Sequence, residues 1–310
     1  MKLFIAILTL SICLNTANAQ TPFEQISEAV SAPYTEVPLV EDNGRILVQV
    51  SIAGHDSLAF ILDTAAQEGV ISPETRDLLG LDPASGQDQQ VMGASGPITL
   101  TRLSLPPMTL AGETVDGLNA VVIDMAPFRR SPGPAYAGIL GADFLRHFDV
   151  EIDVPGGLLR LWRHREGSAP PAPPRAPANL SNLAEVQGFV MFDVAVGDTI
   201  ARAILDSGAH TSALNWLAAA GVGVTRETPG LLESSPAGGI SGDVVEAHSH
   251  RIDGIAVEGL LFPPLEMSIL NLPFGERPMM LLGADFLREC RVFISHSQRR
   301  VHLCGDAAVG

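Results

Sequence analysis

Apolar residues along this chain come in short runs broken by Gly, Pro, Asn and Asp, a rhythm that suits many short strands and few helices. In the first half the runs predict strands over Ile46–Ile52, Leu58–Leu62, Ile98–Leu105, Val121–Met125, Val150–Val154 and Leu158–Trp162. The second half repeats the theme with Val190–Val196, Ala201–Leu205, Val244–Ile252 and Val292–Ile294. Helix is confined to brief segments, Pro73–Leu79, Asn215–Ala220 and the stretches after Gly141 and Gly283. Composition agrees with an all-β class, because 30 Gly and 23 Pro among 310 residues are costly in helices and useful in turns.

The runs are not independent of one another. Gly54-His-Asp-Ser-Leu-Ala-Phe-Ile-Leu-Asp63-Thr-Ala-Ala66 matches Gly197-Asp-Thr-Ile-Ala-Arg-Ala-Ile-Leu-Asp206-Ser-Gly-Ala209, and the block Leu-Gly-Ala-Asp-Phe-Leu-Arg occurs around both Gly141 and Gly283. The offsets are 143 residues for the first landmark and 142 for the second, which identifies a tandem duplication. Between the copies, residues 164–179 carry Ser-Ala-Pro-Pro-Ala-Pro-Pro-Arg-Ala-Pro, a composition that favours extended polyproline geometry and reads as the interdomain linker. This divides the chain into a first domain over 37–163 and a second over 180–304, with a leader at 20–36 and a tail at 305–310.

Residues 1–19 have the form of an export signal, with Lys2, the apolar run Leu3 to Leu14, and Ala17-Asn18-Ala19 for cleavage. The run is too short to span a bilayer, so the mature chain is expected to be exported, periplasmic or secreted, without membrane insertion. A lipid anchor at Cys13 fits less well, since Ile12 stands where processing needs a small residue. After cleavage two cysteines remain, Cys290 and Cys304, flanking a segment that alternates like a hairpin centred near Ser297. They are expected to face each other across its open end and, in an oxidising compartment, to form a structural disulfide. A formal net charge of −16 argues against nucleic-acid binding through phosphate neutralisation. No zinc or redox cysteine motif is present, and His248-Ser-His250 lacks a third ligand.

Each copy carries one hydrophobic strand that delivers an Asp into a turn of small residues, Asp63-Thr64-Ala65-Ala66 and Asp206-Ser207-Gly208-Ala209. A lone Asp in such a turn reads as a backbone cap. Two at equivalent places of a duplication point instead to a carboxylate pair on a pseudo-twofold axis, where like charges share one proton and can activate water.

The two halves resemble the aspartic protease superfamily, in which such an Asp-Thr/Ser-Gly-Ala turn is followed by a hydrophobic-hydrophobic-Gly segment, here Ile139-Leu-Gly141 and Leu281-Leu-Gly283. The resemblance covers about Val37 to Leu303 and is closest to a retropepsin-like protease duplicated in one chain. It implies two homologous β-barrel domains about a pseudo-twofold axis with the active site between them. It further implies an aspartic-type endopeptidase with Asp63 and Asp206 as catalytic dyad, no covalent intermediate and no cofactor or metal. The partner would be a peptide or protein substrate bound as an extended strand. Thr64 and Ser207 would cross-link the turns, Ala65 and Gly208 would support the dyad, and Gly141 and Gly283 would let strands pass closely beneath it. Paired flaps would correspond to Gly93-Ala94-Ser95-Gly96 and Gly239-Ile240-Ser241-Gly242.

Two departures from the family pattern carry consequences. Ala65 stands in place of the usual Gly, so its Cβ would crowd the turn or forbid a positive φ, and a catalytically silent peptide-binding module is the alternative reading. Ala66 and Ala209 offer no hydroxyl to the carboxylates, which should raise the dyad's apparent pKa values and move an optimum towards neutrality. Since the two halves supply one complete dyad, a monomer is expected.

Overall fold

The computed structural model describes residues 34–93, 96–128, 135–164, 178–180, 184–186, 189–234, 237–238, 244–272 and 276–304. It is mostly β, with two similar sheet-rich halves joined by a shared third sheet.

In the first half, hairpin strands Arg45–Ile52 and His55–Leu62 pair antiparallel. The hydrophobic ends of that hairpin, Phe60, Ile61 and Leu62, are buried. Strand Gly138–Leu140 then slots between His55–Leu62, to which it is parallel, and Gly69–Ile71, to which it is antiparallel. The second half repeats this insertion, with Met279–Leu282 parallel to Thr199–Leu205 and antiparallel to Ala213–Leu214. Both ten-stranded sheets run in the same spatial order. Among the described residues their terminal strands are not paired with each other, so no hydrogen-bonded closure of the expected barrels is seen there.

The third sheet has six strands in the order Thr35–Pro38, Leu158–Arg163, Phe148–Asp153, Val292–Ser295, Arg300–Leu303 and Ala178–Leu180. Its central pair joins the halves, with Val150 opposite Ile294 and Ile152 opposite Val292. One face, including Val150, Ile152, Leu159, Leu161, Val292, Ile294 and Val301, enters the hydrophobic core. The other face buries Asp149, Glu151 and Asp153, where alternation along the strand alone would leave polar residues wet. These acids are compensated. Arg160 pairs with Glu36, Glu151 and Asp153, Arg291 pairs with Asp153, and Asp149 accepts from the Ser297 amide and hydroxyl and lies 2.9 Å from His164 Nε2.

The six-stranded sheet also takes in segments beside the expected domain limits. Thr35 and Glu36, in the expected leader, pair with Leu161 and Arg160. Ala178 and Asn179, in the expected linker, pair with Leu303 and His302, and residues 165–177 lie outside the described residues. Each is an edge strand, paired along one side only. The export signal and the tail also lie outside the described residues.

The C-terminal hairpin pairs Val292 with Leu303 and Ser295 with Arg300, with Ser297 in its turn. Cys290 and Cys304 are joined by a disulfide at its open end, with Cα atoms 4.4 Å apart. Short helices occur at Pro73–Leu78, capped by Ser72, and at Trp216–Ala220, capped by Asn215. Others occupy Ala142–Leu145 and Ala284–Glu289. Among the described residues no helix is long and apolar enough to cross a membrane.

Candidate active site

Strand His55–Leu62 ends where the Asp63 amide donates to the Leu140 carbonyl at 3.0 Å. The Asp206 amide does the same to Leu282 at 2.9 Å. Each aspartate is thus held at the junction of its own strand and the inserted one, and the chain must turn there. The turn is tied down on its far side as well, because the Ala142 amide donates to Ala66 O and the Ala284 amide to Ala209 O, both at 2.8 Å. This approach leaves no room for side chains at Gly141 and Gly283. A Cβ at Gly141 would lie 2.9 Å from the Ala66 and Glu68 carbonyl oxygens, and one at Gly283 2.8 Å from the Thr211 carbonyl carbon.

The two turns grip one another through their hydroxyls. Thr64 Oγ1 donates to Leu205 O at 2.7 Å and accepts from the Ser207 amide at 3.1 Å. Ser207 Oγ donates to Leu62 O at 2.8 Å and accepts from the Thr64 amide at 3.0 Å. Four backbone groups on paired strand ends are satisfied by two hydroxyls, and both residues are buried. The crossing holds Asp63 and Asp206 close enough for each to feel the other.

Amides of the turns point at the carboxylates. Ala65 N–H donates to Asp63 Oδ1 at 2.8 Å and Ala209 N–H to Asp206 Oδ1 at 2.9 Å, with Ala66 and Gly208 amides as second donors. Burial nevertheless dominates. Desolvation raises Asp63 above the ordinary carboxylate range, opposed by its two amides and by Arg45. Asp206 is pushed up to about 8, first by desolvation and then by the charge of Asp63, against the same kinds of donor. Both aspartates are thus biased towards the protonated form.

Ala65 does not occupy a positive φ, and neither does Gly208, so backbone strain is not what distinguishes the two turns. Space is. A Cβ at Gly208 would lie 2.4 Å from Asp63 Cγ and Oδ2, which makes glycine obligatory on that side. An exact twofold would press the Ala65 methyl onto Asp206 at the same distance, so the turns depart from symmetry at this position.

Each half also carries a hairpin at the position expected for a flap. Strands Gln87–Gly93 and Gly96–Ser104 pair up to Gly93 opposite Gly96, and Ala237–Gly238 pairs with Val244–Val245. Ala94, Ser95 and residues 239–242 at the tips, Gly239, Ile240, Ser241 and Gly242, lie outside the described residues.

Glu68, Arg102 and Arg45 carried no sequence signal, whereas Asp143 and Asp285 lie in the repeated block and bond the Phe144 and Phe286 amides at the starts of their helices. Arg102, on the first hairpin, forms a two-pronged pair with Glu68 of the active turn, Nε to Oε2 at 2.8 Å. Behind it Asp143 is buried and pushed up to about 6, first by desolvation, with Glu68 adding to it and the Gly69 and Phe144 amides and Arg146 opposing. The matching Asp285 instead accepts from the Ser212 amide at 2.9 Å and its hydroxyl at 2.7 Å. Arg45, from the first half, donates through Nη1 to Gly208 O at 2.7 Å. Among the described residues no group of three or more His, Cys, Asp or Glu is arranged to hold a metal ion.

No curated protein matches the sequence. The sequence model of one family, described as aspartyl protease, matches it twice, over residues 48–144 and 192–286, well over half of the chain and one copy in each half. With the duplicated strand insertion and the paired Asp turns, this match means that the chain belongs to the aspartyl protease family.

Proposed function

We propose that the protein is an aspartic-type endopeptidase whose catalytic dyad is Asp63 and Asp206. The observation that carries this reading is the reciprocal hydroxyl grip of Thr64 and Ser207, which ties together the turns of two carboxyls that are both raised and of which Asp206 feels the charge of Asp63. A structural turn has no need of such an arrangement, since bringing two half-buried like charges together costs stability.

In this mechanism a water sits between the carboxyls. The ionised one accepts a proton from the water as its oxygen bonds to the scissile carbonyl carbon, while the protonated one donates to the carbonyl oxygen. The resulting gem-diol collapses when a proton passes to the amide nitrogen, the C–N bond breaks, and the carbonyl re-forms with its proton returned to the dyad. The four turn amides, from Ala65, Ala66, Gly208 and Ala209, keep the carboxylates oriented throughout. An extended peptide would lie along the cleft beneath the two hairpins, adding strand-like pairing. Export is supported by the pattern of residues 1–19 and by the Cys290–Cys304 disulfide, which suits an oxidising compartment.

The test is cleavage of a diverse peptide pool between about pH 3 and 8 by the mature protein and by its Asp63→Asn and Asp206→Asn variants. Loss of cleavage in both variants is expected, with a wild-type profile whose descending limb lies near 8. Full activity in either variant would rule out the shared dyad. A folded wild type that cuts nothing would favour a silent peptide-binding module, with Ala65→Gly as the next variant.

A further inference from the structure

The duplication makes the dyad nearly symmetric, but its surroundings are not. Arg45 opens the strand Arg45–Ile52, next to the Asn43-Gly44 turn. Strand register places its counterpart 144 residues on, at Phe189, an uncharged side chain. One guanidinium therefore serves one side of the site only.

That guanidinium is well anchored. Nε donates to Phe128 O at 3.0 Å, and the cation lies over the Phe128 ring, 5.3 Å from its centroid. Nη1 reaches Gly208 O at 2.7 Å. The Gly208 carbonyl and the Ala209 N–H belong to the same peptide unit, and that N–H donates to Asp206 Oδ1 at 2.9 Å. The connection is continuous: guanidinium, peptide oxygen, peptide N–H, carboxylate. A cation drawing on the oxygen of a peptide makes its N–H a stronger donor, so hydrogen bonds in such a chain reinforce one another.

The turn that carries Arg45 is itself clamped to the second half. Arg288 donates to Gly44 O at 3.0 Å and pairs with Glu41 at 2.7 Å, and His210 Nδ1 lies 3.2 Å from Asn43 O. Gly44, at φ +77°, is required there, because a Cβ would meet the His210 ring at 1.9 Å. Tyr136 OH holds Asp42 at 3.0 Å. The charged and titratable groups around Arg45 are thus the two dyad carboxyls, the Glu41–Arg288 pair, His210 and the Tyr136-bound Asp42.

We propose that Arg45 is a positioning residue of the dyad: anchored through Nε on Phe128 O, its Nη1 fixes the Gly208–Ala209 peptide against Asp206, and its charge favours ionised carboxylate at the site. This rests on the endopeptidase reading for its catalytic consequence, although the electrostatic part holds for the folded protein whether or not it cleaves peptides. The direction agrees with Arg45 lowering both Asp63 and Asp206 against their desolvation.

The experiment compares wild type, Arg45→Lys and Arg45→Met in two ways. Carboxyl titration by NMR of protein carrying ¹³C-labelled aspartate, with Asp63→Asn and Asp206→Asn to assign the two resonances, needs no activity. Both dyad midpoints should move to higher pH by about one pH unit in Arg45→Met and stay near wild type in Arg45→Lys, which keeps the charge. Kinetics on a peptide cleaved by wild type should show kcat reduced about 10-fold to 100-fold in both variants, since neither keeps the two-donor fork, with KM changed less than about 2-fold. Both limbs of the pH profile should shift upwards in Arg45→Met only.

Unmoved midpoints in folded Arg45→Met would overturn the electrostatic role. If Arg45→Met does not fold, Arg45→Lys decides, and wild-type kcat in that variant would overturn the positioning role. A raised KM at unchanged kcat would make Arg45 a substrate contact instead. Absence of cleavage by wild type would refute the endopeptidase reading and leave the titration to judge Arg45.

Discussion

Replacing Thr64 by Val keeps the shape of a buried side chain and removes only its hydroxyl. That hydroxyl serves two backbone partners, Leu205 O at 2.7 Å and the Ser207 amide at 3.1 Å, in a place where Thr64 is 2% and Ser207 0% exposed. Water cannot replace it without opening the junction. Each orphaned backbone group costs about 1–3 kcal/mol, so the pair should cost about 2–6 kcal/mol, the lower end applying if the turns part slightly to admit a water. Urea unfolding followed by the fluorescence of Trp162 and Trp216 measures this as a fall in midpoint at constant slope. Thr64→Ser keeps the hydroxyl and should recover most of the loss. Ser207→Ala, which orphans Leu62 O and the Thr64 amide, should cost a similar amount. The double variant should cost less than the sum, because the second loss acts on a junction already loosened. A change below about 0.5 kcal/mol in Thr64→Val, the range of ordinary surface substitutions, would refute the view that the grip holds the two turns together.

Three further outcomes are expected. Asp143 binds its proton more tightly in the folded state, up to about 6, than in the unfolded chain, so its contribution to stability is present below about pH 4 and lost as pH rises through 6. Asp143→Asn should therefore be more stable than wild type at pH 7.5 by up to about 3 kcal/mol and match it at pH 3.5; a gap independent of pH in denaturant titrations would contradict this. Gly283→Ala places a methyl against the Thr211 and Ala209 backbone and should lower stability by about 1–3 kcal/mol, with peptide cleavage falling as the Asp206 turn is displaced; thermal unfolding at wild-type temperature would show that the strand can move aside. Replacing Cys290 and Cys304 together by Ser should cost about 3 kcal/mol, the loop-closure value for a bridge spanning 14 residues, and an unchanged urea midpoint would count against that entropic account.

Features that arise locally, or that are written twice, are legible in the order of residues. The hairpin that brings the two cysteines together follows from alternation around a turn, and the strands ending at Asp63 and Asp206 follow from apolar runs that stop at small residues. Boundaries are less legible. Thr35–Pro38 and Ala178–Leu180 have no pattern of their own, and they are strands only because a long sheet offers each an unpaired edge. Alternation also misjudges Asp149, Glu151 and Asp153, which would face water in an isolated sheet and are buried here, Glu151 and Asp153 with arginine partners and Asp149 with Ser297 and His164.

The all-β class, the duplication and the paired Asp turns thus follow from the chain alone, because each depends on neighbours a few residues away or on repetition at one period, whereas the glycines beneath the turns follow from the family resemblance. Folding in three dimensions settles the rest: among the described residues the sheets show no hydrogen-bonded closure, Gly208 and not Ala65 sits where no methyl fits, and Arg45 reaches a peptide 163 positions along the chain. The physical reason is the same in each case. These features depend on which surfaces meet when the two halves close on one another, and contacts between residues so far apart leave no periodicity in the chain that forms them.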